Sequence, residues 1–422
     1  MESSHRSVTE VLAAAKLAAP LLAAAAGELR TKAIEAIADS LIERTPEIIA
    51  ANSQDLEAGR AAGLDAALLD RLLLDEARIE GMASGARAVA HLADPIGEVL
   101  EESTLANGLR LRKVRRPLGV VCVVYEARPN VTIDAAVLCL RAGSAAVLRG
   151  SSMAARSNEV LARVAAEAVE AAGLPAASVS LVAGGDRDEL EQLGGAEGII
   201  DLIIPRGGEG LKKALEVVAK VPVIFAASGN CHVYVDAAAD LEMATRIIVN
   251  AKVQRPGVCN AAESLLVHQS VAGDFLPLAL AALAAEGVEL RCDGRAAALA
   301  GSTIKVIPAT DEDFATEFLS PVISVGVVDS LDQAIDHIQR NGSGHSEAII
   351  TADSAAADAF QTRVDAAVVY VNASTRFTDG AEFGMGAEIG ISTQKLHARG
   401  PIGLRELTTY SWLVNGDGQI RG

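Results

Sequence analysis

The stretch GVVCVVYEARPNVTIDAAVLCLRAGSAAVLRGSS (119–152) points most directly to the class of fold. Two short apolar runs, 119–125 and 144–150, flank a segment whose apolar positions recur at helical spacing over 131–142. Runs of this length without polar alternation suit strands buried on both faces, which parallel sheets require. The pattern continues downstream. Further strands are predicted at 178–184, 199–206 and 221–226, with helices at 153–172, 187–194 and 208–219. Strand–helix alternation of this kind predicts an open parallel sheet with right-handed crossovers, in outline a dinucleotide-binding architecture.

On the N-terminal side, residues 6–92 are rich in Ala, Leu, Glu and Arg and read as a run of helices. LAAPLLAAAA (17–26) looks superficially like a leader core, but Glu10 ahead of it and Pro20 inside it favour a helix. The segment 97–117 carries Asn107-Gly108 between extended runs, a hairpin signature. On the C-terminal side a second alternating set follows HVYVD (232–236), with strands expected near 263–268, 322–328, 346–351 and 367–371. The chain ends in another strand-like run, TTYSWLV, before a turn-rich NGDG. Neither this run nor the hairpin is needed by a sheet, so both are expected to pair across a subunit interface.

The expected organisation is thus an N-terminal helical and cofactor-binding region (1–230) with the hairpin arm inserted, a second α/β domain (231–372), and a return to the first domain with a terminal strand (373–422). At 422 residues, half of them hydrophobic and only 3% aromatic, the chain suits two or three domains of tightly packed α/β structure. A formal charge of −18 gives no support to nucleic-acid binding. Anionic ligands must then be held by local basic islands. Five cysteines at 122, 139, 231, 259 and 292 form no C-x-x-C pair and no zinc spacing, so neither a disulfide framework nor a metal site is expected. A reducing cytoplasm follows. No run of 18 apolar residues is free of charges and turn signals, so no membrane span is expected either.

No G-x-G-x-x-G follows the first strand of the sheet. In its place RGGEGLKKAL (206–215) opens a helix with Gly207 and Gly208 directly after a strand. Either those free N–H groups face a pyrophosphate or the glycines simply permit a tight turn. The second strand ends in VLRGSS, with no acidic residue for a ribose 2′-hydroxyl. Arg149, Ser151 and Ser152 suit a 2′-phosphate instead, which points to NADP.

KVQRPGVCNAAESLLVH (252–268) places Cys259 after a Pro-Gly turn and before a strand. That setting suits an exposed, activated thiol, although a core cysteine would also fit. Cys122 and Cys139 lie in apolar runs and read as packing residues, while Cys231 and Cys292 are harder to place.

The segments YEARPNVTIDAA, LRGSS, IPRGGEGL, VQRPGVCNAAE, NGSGHSEAI, VNASTRFTDGAEFGMGAEIGISTQKLHARGP and GLRELTTY span about 125–410 in order. In them the chain resembles the aldehyde dehydrogenase superfamily and, within it, the gamma-glutamyl phosphate reductases, also called glutamate-5-semialdehyde dehydrogenases. The resemblance implies a Rossmann-type cofactor domain, a second α/β catalytic domain and a β-hairpin oligomerisation arm, assembled as a homodimer or higher homo-oligomer. It makes Cys259 the nucleophile, Asn130 the oxyanion-stabilising residue and Glu317 the carboxylate that positions the nicotinamide ribose. The implied reaction is NADPH-dependent reduction of γ-glutamyl phosphate through a cysteine thioester, the second step of proline biosynthesis, for which glutamate 5-kinase would supply the labile substrate.

A substrate with a phosphate and a carboxylate calls for cations in an acidic protein. Arg255, Arg376, Lys395, His397 and Arg399 are the candidates, together with His345. One departure is informative. Hydrolytic members carry a general-base glutamate where this chain has Ala226, Ala227 and Ser228. Without that base a thioester is spared from water, and this together with the match at STRFTDGAEFG disfavours a hydrolytic or CoA-acylating aldehyde dehydrogenase. A catalytically silent nucleotide-binding scaffold is the alternative from outside enzymology.

Overall fold

A computed structural model of the chain describes residues 6–182, 185–226 and 228–421, with the side chain of Glu209 also left aside. It divides into two compact units, one formed by 1–226, 384–390 and 402–422, the other by 227–383 and 391–401. The return to the first unit comes at 384 rather than the expected 373. The reason is local: the side chain of Asn260 donates to the carbonyls of Arg376 and Thr378, which ties this loop to the second unit.

In the first unit the N-terminal region forms five helices, α1 (Val8–Ala24), α2 (Gly27–Glu43), α3 (Thr45–Ala61), α4 (Ala66–Leu72) and α5 (Glu76–Ala90). A capping box between Ser7 and Glu10 starts α1, satisfying donors that a helix end leaves bare. The hairpin follows as β1 (Val99–Thr104) and β2 (Arg110–Pro117), turned through Gly108 at φ +86°. Its third strand is the terminal run Thr408–Asn415, antiparallel to β2. The two excursions therefore pair with each other within the chain, forming one three-stranded antiparallel sheet.

The stretch from 119 to 152 forms β3 (Val120–Tyr125), α6 (Val131–Arg141) and β4 (Ala145–Arg149). After them come α7 (Ala155–Ala171), β5 (Val179–Val182), α8 (Arg187–Gly194), β6 (Leu202–Arg206) and α9 (Glu209–Val218). The end of the strand expected over 178–184 lies outside the described residues. The four strands run parallel in the order β5-β4-β3-β6. Every residue of β3 is buried, and each large apolar side chain so removed from water contributes about 1.5–3 kcal/mol. The strand expected at 221–226 is reduced to a bridge between Val223 and Ile203.

The second unit is a seven-stranded parallel sheet. Its elements are β7 (Cys231–Val235), α10 (Leu241–Val253), β8 (Ala262–His268), α11 (Gln269–Ala285), β9 (Glu289–Cys292), α12 (Gly294–Leu299), β10 (Val306–Pro308), α13 (Asp311–Phe314), β11 (Val322–Val328), α14 (Leu331–Asn341), β12 (Ser346–Ile350), α15 (Ser354–Arg363) and β13 (Val368–Val371). The strand order is β10-β9-β11-β8-β7-β12-β13. Strand alternation divides the apolar side chains between two cores. Val233, Val235, Leu265 and Val267 pack with α10 and α11. Tyr234, Leu266 and Ile349 pack with α14 and α15. Among the described residues no helix is long and apolar enough to cross a membrane.

Candidate active site

Cys259 lies in the turn between α10 and β8, half-buried, whereas Cys122, Cys139, Cys231 and Cys292 are sealed. Burial pushes the thiols of Cys122, Cys139 and Cys292 up to about 12 and that of Cys231 well above its ordinary value. These four stay protonated and out of reach, so neither condition for a nucleophile is met by them. The turn is built by register. Parallel pairing sets Cys231 beside Ala262, and Glu347 beside His232. The first residues of β7, β8 and β12 thus stand abreast, and Cys259, three residues before Ala262, lies beyond their amino ends.

The backbone around Cys259 is held from several sides. Its carbonyl oxygen is 3.2 Å from the Cys231 Sγ. A methyl group on Gly229 would lie 1.5 Å from that same oxygen, so only glycine fits. The next residue, Asn260, accepts a hydrogen bond from Thr375 Oγ1 at 2.7 Å on its own carbonyl. Glu317 accepts from the Gly229 N–H at 2.7 Å. Burial raises the Glu317 carboxyl above its usual range, against the pull of that N–H and of Lys252.

Among the candidate cations, Arg376 has an electrostatic link to Cys259. Burial lowers its guanidinium from the ordinary arginine value and the nearby charge of Arg255 acts the same way, while Asp379, Cys259 and Cys231 pull upward. The Arg376 Nε donates to Gln254 at 2.8 Å, which fixes the fork. Arg255 is exposed on the same turn as the thiol. Lys395 and Arg399 both pair with Asp365, at 2.7 and 2.8 Å, so part of their charge is already matched. His397 is exposed.

His345 departs from expectation. It is fully buried just before β12, with Nδ1 2.8 Å from the Ser346 hydroxyl. Burial lowers its ring to about 4. A neutral, sealed imidazole cannot bind a substrate anion as a cation, and nothing in the local run of residues signals that its strand is central.

In the first unit, Asn130 stands at the start of α6 without a side-chain capping bond and donates through Nδ2 to Asp134 at 2.8 Å. Asp134 is raised to about 6, chiefly by burial. The crevice outside the ends of β3 and β6 is the sheet's switch point, where such folds take dinucleotides. There the pyrophosphate reading of Gly207 and Gly208 meets an obstacle. The Glu126 carboxylate accepts from the Gly208 N–H at 3.0 Å and fills the space a Gly207 side chain would need. A carboxylate at this helix start satisfies the dipole itself, so the glycines serve its close approach.

Arg149 ends β4 and donates to the carbonyl of Asp186 at 3.0 Å, with Glu189 3.7 Å from its Nε. That Nε is buried without a hydrogen-bond partner, a donor suited to an anionic oxygen. The Ser151 hydroxyl accepts from the Met153 N–H, and Ser152 is exposed beside it. At the position of the absent general base, Ala226 and Ser228 carry no carboxyl, and Ala227 lies outside the described residues.

Sequence reasoning missed Glu126, Glu189, Asn230 and Cys231, together with the fully buried Lys252–Glu263 pair at 2.6 Å. A signal for the last existed. A glutamate inside the apolar run of β8 has no place in a doubly covered strand unless a cation meets it.

The profile of the aldehyde dehydrogenase family matches residues 1–289 and 279–388. A gamma-glutamyl phosphate reductase of Heliobacterium modesticaldum is 55% identical over 96% of this chain and 97% of its own. That of Thermobifida fusca is 50% identical over 100% of both. The crystal structure of the Thermotoga maritima gamma-glutamyl phosphate reductase superposes with a TM-score of 0.96 at 43% identity, covering 99% of this chain and 100% of that one. The chain belongs to the aldehyde dehydrogenase family, among its gamma-glutamyl phosphate reductases. It is an oxidoreductase that uses a nicotinamide cofactor.

Proposed function

We propose that the protein reduces γ-glutamyl phosphate to glutamate 5-semialdehyde and phosphate with NADPH, the second step of proline biosynthesis. The observation that carries this reading is the accessibility of Cys259 beside Arg376, when every other thiol is sealed. The Cys259 sulfur attacks the γ-carbonyl carbon, a C–S bond forms, and the C–O bond to phosphate breaks. Bound NADPH supplies the hydride that reduces the thioester. The resulting alkoxide re-forms a carbonyl, the C–S bond breaks, and the thiolate returns. Asn130 and the backbone N–H of Cys259 are the proposed donors to the oxyanion at both stages. Loss of one such donor typically costs about 10²–10³ in turnover.

Arg255 and Arg376 bind the phosphoryl group, and Lys395, His397 and Arg399 bind the α-carboxylate end. Glu317 orients the nicotinamide ribose. Arg149, Ser151 and Ser152 hold the 2′-phosphate, for which the support is an Arg149 Nε that makes no hydrogen bond and has the Glu189 carboxylate 3.7 Å away. The absence of a carboxylate at Ala226 and Ser228 protects the thioester from water. We place the reaction in the cytoplasm and assign the protein to a homodimer or higher homo-oligomer, with glutamate 5-kinase as supplier of the substrate. Exposed Val99, Leu100, Trp412 and Val414 on the three-stranded arm support self-association.

The test is the reverse reaction, semialdehyde with NADP, with and without phosphate. Phosphate-dependent NADPH formation that disappears in Cys259→Ala is expected. Phosphate-independent oxidation would move the protein to hydrolytic chemistry, and sedimentation of an active monomer would remove the assembly.

A further inference from the structure

Cys231 opens β7, is fully buried, and has no part in the reaction just described. Its Sγ lies 3.2 Å from the carbonyl oxygen of Cys259 and 3.8 Å from His345 Nδ1. Burial keeps it an S–H group, which makes it a donor throughout the working range. The residues before it are anchored independently. Asn230 Nδ2 donates to the carbonyls of Phe314 and Asn341 at 2.8 and 2.7 Å, while Gly229 holds Glu317. Behind Cys231 a row of hydroxyl groups runs from Ser346 to Thr378 at 2.6 Å and on to Tyr370 at 2.8 Å. Thr378 also offers its carbonyl to Asn260, so the row closes back on the residue after the nucleophile.

A peptide group is rigid. Fixing the Cys259 carbonyl therefore fixes the Asn260 N–H on the opposite side of a trans peptide, and with it the backbone angle from which the Cys259 side chain departs. We propose that Cys231 is a positioning residue for the nucleophile: its thiol donates to the Cys259 carbonyl and holds that peptide in the orientation the attacking sulfur requires. A plain packing role would be served as well by alanine or valine. Only the donor role demands a hydrogen at that point, and serine can supply one. The inference rests on the reading of Cys259 as nucleophile.

The test compares Cys231→Ala, Cys231→Ser and Cys259→Ala in the full chain. The measurements are kcat and KM of the reverse reaction, the rate of Cys259 alkylation by iodoacetamide read by peptide mapping, and thermal melting. The alanine variant is expected to lose about 10- to 100-fold in kcat, as small displacements of reacting groups do. Its KM should stay within about threefold and alkylation of Cys259 should slow, while Cys231→Ser returns kcat to within about threefold of wild type. Where alanine prevents folding, Cys231→Val replaces it as the variant without a donor. An alanine variant with wild-type kcat, or a serine variant as slow as alanine, overturns the inference. A fully active Cys259→Ala overturns the nucleophile reading itself. An inactive Cys259→Ala alongside a wild-type Cys231→Ala removes only the positioning role.

Discussion

Gly229 and Cys259 touch so closely that a Cβ built on the glycine would stand 1.5 Å from the cysteine's carbonyl oxygen. The obstacle is backbone, so no side chain can swing aside to relieve it. Gly229→Ala is expected to push the two segments apart and reduce kcat by about 10²-fold through misplacement of the thiol. Steady-state kinetics on a variant that still melts cooperatively checks this. Wild-type turnover in that variant would mean the turn has slack that the geometry denies.

Lys252 and Glu263 pair at 2.6 Å with both side chains fully buried. Desolvation outweighs their attraction, lowering the lysine and raising the glutamate to about 7. Lys252→Met should destabilise the protein by about 3–5 kcal/mol because it strands a buried carboxylate. The loss should be smaller at pH 6 than at pH 8, since a lone Glu263 takes up a proton more readily in acid. Urea unfolding at the two pH values decides. An equal loss at both would show that Glu263 stays charged without its partner.

His345 is neutral in the fold, its pKa lowered from 6.5 to about 4 by burial. Between those values the unfolded chain holds a proton that the native chain refuses, so stability rises with pH through this window. On acidification from 6.5 to 4 the penalty grows to about 3 kcal/mol, because a pKa difference of one is worth ~1.4 kcal/mol. His345→Gln should flatten the unfolding free energy between pH 4 and 6.5. An unchanged slope would place the acid sensitivity elsewhere.

Arg149 carries the proposed choice of cofactor. Arg149→Ala should weaken NADPH by roughly tenfold or more while leaving NADH nearly unchanged, because only the former offers a 2′-phosphate to a charge-assisted donor. Fluorescence titration with both nucleotides measures the split. Equal losses for the two would assign Arg149 to packing against Glu189.

Arg376 sits within electrostatic reach of Cys259. Arg376→Gln should raise the KM for phosphate in the reverse reaction by about tenfold or more, the value of one charged hydrogen bond. An unchanged KM would give the phosphate to other cations.

The alternation of apolar runs and helical spacing made most elements legible, because those signals are local. Strand β9 and the edge strand β10 beside it were not. With four and three residues they are too short to show a period. Residues 221–226 failed the other way, having strand composition but only one bridge to a neighbour. Within the site, Cys259 stood out through its Pro-Gly turn. His345 was offered as a cation, but its burial and the lowering of its ring to about 4 come from neighbours that its own sequence does not reveal. Glu126 and Cys231 gave no local cue.

Residue type and spacing along the chain were enough to define the class of fold and the order of most elements, and they marked Cys259 as a candidate thiol that the family resemblance then singled out. Three-dimensional packing was needed to show which charges are already matched, which thiols are sealed, and what holds the Cys259 peptide. Those properties depend on parallel register, which sets residues 231, 262 and 346 side by side. They also depend on desolvation, which a residue acquires only from neighbours distant in the chain.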